Sequence, residues 1–189
     1  MTALVVGFYA GPGAGKSTMA AHVFALLKWA GIRAELVTEF AKEVYWEQRP
    51  IPDPFYVIAK QYHRLVRVVP HVDVVVTDAP LLLGLAYTRH RELQRVITDY
   101  ATRFHMFHIF LHRRKPYDPV GRYQAEPEAV ALDRTVENML EDLHLTYASY
   151  PARPWAANDI YEAIVRRLRH DQHASQDTVR HAARLEPHP

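Results

Sequence analysis

The chain has 189 residues, a formal net charge of +2 with histidines neutral, 49% hydrophobic residues and 23% charged residues. That is the composition of one ordinary globular domain with a full-sized core, and its near-balanced charge gives no argument for wholesale nucleic-acid binding. No stretch approaches the roughly 20 apolar residues of a membrane span. With Cys 0, disulfides and thiolate metal sites are excluded, and the absence of a basic region or cleavage site ahead of the first strand argues against a signal peptide. A cytoplasmic protein is expected.

The first element is the apolar run Leu4-Val5-Val6-Gly7-Phe8-Tyr9, which reads as a buried strand. Ala10-Gly11-Pro12-Gly13-Ala14-Gly15-Lys16-Ser17-Thr18 follows it directly, and a helix is expected from Lys16 to Trp29 with Gly31 as its stop. Strand, glycine-rich turn and helix in this order make a phosphate-binding loop. Gly11, Gly13 and Gly15 let backbone N–H groups of residues 11–18 point at phosphates, where bulkier side chains would block them. Lys16 is expected at the β- and γ-phosphates of a nucleoside triphosphate, and Ser17 at Mg²⁺. The helix directs the positive end of its dipole at the same anions. Ala10 stands where the motif usually begins with glycine.

Residues 32–38 read as a second strand, delivering Thr38 and Glu39 to its end, and residues 40–48 as a helix. Two roles are open to Glu39: a base that accepts a proton from an attacking hydroxyl, or a carboxylate favoured by a helix N-terminus. Glu43, one turn on, is a weaker candidate for the base. Three prolines among residues 50–54 make a stiff break, and residues 55–69 form an amphipathic helix.

Residues 72–78 are β-branched and fit a strand buried on both faces. Asp78 ends that strand and is the second carboxylate-bearing element a phosphate-loop enzyme needs, holding Mg²⁺ beside Ser17; a helix N-cap is the alternative. Asp73, at the opposite end, reads as structural. Residues 81–103 are expected to be helical, in one or two pieces, and residues 105–111 to form a fourth strand. His105, His108 and His112 lie on or beside it, in a spacing that does not demand a metal.

Residues 112–127 are polar, basic and proline-containing, and read as a mobile lid. Arginines on a closing loop neutralise the transferred phosphoryl group and exclude water. Arg113 and Arg122 are the choices for that role, while Arg114 and Lys115 are candidates for a phosphodiester backbone. A helix over 128–144, a strand over 145–149, a helix over 158–170 capped by Asn158, and a polar tail over 171–189 complete the chain. The alternation implies an α/β fold, a doubly wound parallel sheet of about five strands of the nucleotide-kinase type over residues 1–170. Phe40, Tyr45, Trp46, Phe55 and Tyr56 flank the acceptor side, where they either stack a base or pack as core.

Taken together, the phosphate loop, Glu35-Leu-Val-Thr-Glu-Phe-Ala-Lys42, Asp73-Val-Val-Val-Thr-Asp-Ala-Pro-Leu-Leu-Leu83 and Lys115-Pro-Tyr-Asp-Pro-Val-Gly-Arg-Tyr-Gln124 resemble a bacteriophage family of P-loop kinases. More loosely, they resemble nucleoside and nucleotide kinases and the kinase domain of NAD-salvage proteins. The phage family includes 5-hydroxymethyluridine DNA kinases, which phosphorylate the base hydroxymethyl group within DNA during thymidine hypermodification. The resemblance implies Mg-ATP as donor, Lys16 and Ser17 at the phosphates, Asp78 at the metal, arginines in the lid, and the host cytoplasm as location if the chain is phage-encoded. Hydroxymethyluracil-containing DNA is then the expected acceptor. A free nucleoside or nucleotide is the alternative, and a non-catalytic nucleotide-binding module a second one. A homodimer stays open. A GTPase is disfavoured, because no Asn-Lys-x-Asp segment occurs in the chain.

Overall fold

The computed structural model describes residues 3–50, 53–121 and 123–185. Strand β1, Leu4–Tyr9, is buried along its whole length, as its continuous apolar run requires. Helix α1, Lys16–Trp29, stops where expected: Gly31 takes φ 76, and the N–H of Ile32 reaches Leu27 O at 3.0 Å. Strand β2 is Ala34–Val37 and strand β3 Val74–Thr77, with helices α2, Phe40–Trp46, and α3, Pro54–Val66, between them. Asp53 caps α3 by accepting from the Phe55 N–H at 2.6 Å. A 3-10 stretch at Leu81–Tyr87 and helix α4, Arg91–Ala101, lead to strand β4, His105–His112. Helix α5, Glu126–Asp142, strand β5, Tyr147–Pro151, and helix α6, Ala156–Leu185, complete the described chain.

The five strands lie in the order β2-β3-β1-β4-β5, and every pairing is parallel. Side-chain alternation along β1 divides the core in two. Leu4, Val6 and Phe8 face α1 and α6, meeting Val23, Leu27, Ile160 and Ile164. Val5 and Tyr9 face the other layer, meeting Leu81, Leu83, Ile97, Val136 and Leu140. Burying each of these side chains contributes about 1.5–3 kcal/mol before chain entropy is subtracted.

Several expected bounds shift, those of β5 and α6 among them. β5 begins at Tyr147, because His144 adopts φ 51 and the Leu145 N–H still closes α5 onto Leu140 O. A histidine in the left-handed region carries no sequence signal comparable to glycine. α6 begins at Ala156, so Asn158 lies within its first turn instead of capping it. The same helix continues to Leu185, beyond the expected end at residue 170. Asp73 is structural, as expected: Arg33 grips it in a two-pronged bond, at 2.6 and 3.0 Å, and that contact lowers its pKa.

His108 joins the two central strands, its Nδ1 lying 2.9 Å from the Tyr9 hydroxyl. Burial, reinforced by the charge of Arg167, lowers its pKa from 6.5 to about 4. The unfolded chain therefore takes up this proton first as pH falls. The associated stability is intact above about pH 6.5 and disappears towards pH 4, a difference on the order of 3 kcal/mol. Urea unfolding at pH 7 and pH 4.5 checks this. The wild type is expected to lose more stability than His108→Gln, which retains a partner for Tyr9; equal losses would place the acid sensitivity elsewhere.

Candidate functional site

β1 runs into the phosphate loop at the carboxyl edge of the sheet, where doubly wound folds bind ligands. Ala10 is fully buried within the core, so its methyl group fits where glycine is usual. Gly13 and Gly15 take φ 74 and 112, conformations that L side chains resist. Gly11 is constrained by space instead: a Cβ there would lie 2.3 Å from Ala129 O and 2.8 Å from Asp133 Oδ1.

Lys16 opens α1 and is buried. Its Nζ donates to Ala10 O at 2.8 Å and Gly11 O at 3.0 Å, which holds the cation within its own loop. Burial lowers its pKa, against the upward pull of the Glu39, Asp78 and Asp133 carboxylates. Three carboxylates thus surround one ammonium at the phosphate end of the site.

Asp78 follows β3 and is 2% exposed, and its Oδ1 has no hydrogen-bond partner among the described residues. An ionised oxygen left in that state is costly unless a cation joins it. Ser17 lies on the cavity wall with Lys16. This donor set, a buried carboxylate and a hydroxyl beside the phosphate loop, fits a hard divalent cation such as Mg²⁺.

A single cavity of about 410 Å³ runs from the phosphate loop to an apolar end. Gly13, Gly15, Lys16, Ser17 and Thr18 line the first part, and Ile58, Leu81, Leu83, Tyr87 and Leu93 the far part. Glu39 lies on the wall as well. It occupies the N-cap position of α2, yet its side chain does not cap the helix. Glu43 is absent from the wall and is bonded to Arg64, so the geometry separates the two carboxylates. The phenol of Tyr87 is pushed well above its usual range by burial and by the Glu39 and Asp133 carboxylates.

The lid segment folds over the site. The Tyr117 ring packs on Gly13, where an added Cβ would meet it at 2.9 Å, and its hydroxyl donates to Gln124 O. Lys115 lines the cavity. Gly121 sits against Trp46 and Lys42, and Tyr123 meets Tyr45 edge-on at a ring separation of 5.0 Å. Acceptor-side helix and lid therefore share one aromatic cluster. Phe40 and Tyr45 line the cavity, whereas Trp46 and Phe55 are more than half exposed.

Arg113, expected over the transferred phosphate, is bound at the phosphate loop and to α5, and its buried Nη1, close to Gly13, has no hydrogen-bond partner among the described residues. Its Nε donates to Asp133 Oδ2 at 2.8 Å, and its Nη2 to Pro12 O at 2.7 Å and Asp133 Oδ1 at 3.2 Å. It does not line the cavity; it ties the phosphate loop to α5. Arg122 lies outside the described residues. Arg89, Arg91 and Arg95 are exposed.

Asp133 is the residue that the sequence reading overlooks. It also accepts the Gly11 N–H, at 2.6 Å. Its signal was present: it falls four residues after Ala129 and three before Val136, on the buried stripe of α5. An acid on an apolar stripe asks for a partner. Gln61 breaks the stripe of α3 in the same way, being buried between Ile58 and Leu65.

A parallel sheet ending in this loop, with a buried lysine and a carboxylate at the next strand end, defines a P-loop nucleotide-binding domain. A family model described as AAA domain matches residues 5–157, and the chain belongs to that family of P-loop NTPases. The match establishes the P-loop class without reaching the phage kinase branch that the sequence resembles. No curated protein matches the chain. Among the described residues no helix is long and apolar enough to cross a membrane.

Proposed function

We propose that this protein is an ATP-dependent phosphotransferase acting on a hydroxyl group of a nucleoside-sized acceptor. The observation that carries the reading is the single cavity joining the phosphate loop to an apolar end, with Glu39 on its wall. The apolar part of the wall offers a ring a place beside the phosphate loop. A volume of about 410 Å³ suits one small organic ligand.

In this reading the backbone N–H groups of residues 11–18 cradle the phosphates, and Lys16 neutralises charge on the transferred group. Ser17 and Asp78 hold Mg²⁺, which when bound neutralises phosphate charge. Glu39 accepts the acceptor's hydroxyl proton as its oxygen bonds to the γ-phosphorus, and the bond to the β–γ bridging oxygen breaks to release ADP. Lys115, and Arg122 from the sequence pattern, supply lid cations. Arg113 acts by positioning the loop.

The second reading takes the hydroxymethyl group of 5-hydroxymethyluracil within DNA as acceptor, as the sequence resemblance implies. Exposed Trp46, Phe55 and Tyr123, with Lys42 and Lys115 on the cavity wall, favour it, since rings and cations together suit a nucleic-acid strand. Labelled γ-phosphate transfer with Mg²⁺ separates the two. The panel is free hydroxymethyldeoxyuridine, its monophosphate, common nucleosides and nucleotides, ordinary duplex DNA and hydroxymethyluracil DNA. Label on free acceptors is expected; label on the modified DNA alone would transfer the assignment to a DNA-base kinase. Label on none would overturn both. In the same assay Glu39→Gln is expected to bind ATP normally and turn over about 10²-fold more slowly; unchanged turnover would reduce Glu39 to a helix-start carboxylate.

A further inference from the structure

Gln61 is 4% exposed and lines the cavity. Its Oε1 accepts the Phe40 N–H at 3.0 Å, and because a backbone N–H can only donate, this fixes which way the amide points. Its Nε2, carrying two N–H donors, has no partner among the described residues. A buried amide in this state is costly unless something accepts from it. Apolar Val57, Ile58, Leu83 and Leu93 line the same cavity, as does Glu39, next to the Phe40 N–H from which Gln61 accepts. Such a wall disfavours a carboxylate or phosphate at this end and suits a flat ring with a neutral acceptor atom.

We infer that the apolar end of the cavity selects an acceptor ring bearing a carbonyl oxygen, and that Gln61 Nε2 is the donor that reads it. This deepens the phosphotransferase reading and rests on it. The same side chain fixes the first residue of α2 through Phe40, and Glu39 immediately precedes that residue. Reading the ring and placing the proposed base are thus joined in one amide. A site built to hydrogen-bond its ligand rejects an analogue lacking that group, because the site's own donor is then stranded.

The test uses the full chain with ADP and Mg²⁺ and measures binding by calorimetry. Its probes are 2′-deoxyuridine, nicotinamide riboside, and the phenyl C-deoxyriboside, which has a ring of similar shape without carbonyl groups. The wild type is expected to bind at least one carbonyl-bearing probe about tenfold or more tightly than the phenyl compound. Gln61→Met should abolish or reverse that preference while leaving ADP affinity unchanged. Gln61→Glu keeps an oxygen for the Phe40 N–H; at pH 8 it should lose the preference as fully as Gln61→Met, which separates ring reading from support of α2. No preference in the wild type, or a preference surviving in both variants, would overturn the inference. Transfer without ring preference would leave the phosphotransferase standing and remove Gln61; ring preference without transfer to any acceptor would do the opposite.

Discussion

Lys16→Ala is expected to slow phosphoryl transfer by at least about 10³-fold, with a much smaller effect on folding. The loss follows from removing a buried cation of the loop proposed to hold the phosphates, a type of contribution worth about 3–4 kcal/mol in the transition state. Folding is spared because the native ammonium already bears a desolvation cost, visible in its lowered pKa. Its two loop carbonyls, Ala10 O and Gly11 O, lose a donor in exchange. Single-turnover transfer, together with urea unfolding, separates the two quantities. Full activity in Lys16→Ala would sink the assignment of the loop to catalysis.

Asp133→Ala is expected to destabilise the protein by about 3–5 kcal/mol and to weaken nucleotide binding. Arg113 and Asp133 are both mostly buried, with side-chain exposures of 14% and 18%. Removing one partner of such a pair strands the other, which costs far more than the pair contributes. Here it also strands the Gly11 N–H and frees the loop from α5. Asp133→Asn separates the two roles, because an amide oxygen still accepts from Gly11 while the charge is gone. Its nucleotide affinity should lie between those of wild type and Asp133→Ala, measured beside the unfolding free energy. Alanine behaving as wild type in both measurements would show that Gly11 and Arg113 find equivalent partners elsewhere.

Legibility in the sequence followed the range of the interactions. β1, the loop and α1 could be read to the residue, because strand pattern, glycines and the Gly31 stop are all local signals. The parallel α/β sheet followed from the alternation of elements. Elements ended without a glycine were read less well: His144 closes α5 in a conformation that sequence does not announce, and β5 starts two residues later than expected. Within the site, Lys16, Ser17 and Glu39 line one cavity, and the Asp78 carboxylate acts on Lys16 from the end of β3, an edge that the parallel topology shares among the strands. The pairing of Arg113 with Asp133 spans α5 and the strand before it, so sequence could not show that Arg113 is tied to the phosphate loop and α5 while Lys115 of the same charge run lines the cavity. Gln61 was hidden for a related reason. A polar residue on an apolar stripe reads as noise until the cavity that it faces is known.

The strand order also bears on how the chain is made. β1 precedes both of its neighbours, β3 and β4, in the chain, and Leu4 pairs with Val74 on one side and His105 on the other. Until the residues of β4 have left the ribosome, this apolar strand has an unpaired edge and an unfinished core. Long-range parallel pairing of this kind closes late and leaves sticky surface waiting. About a hundred residues must therefore follow β1 before this buried segment has both of its neighbours.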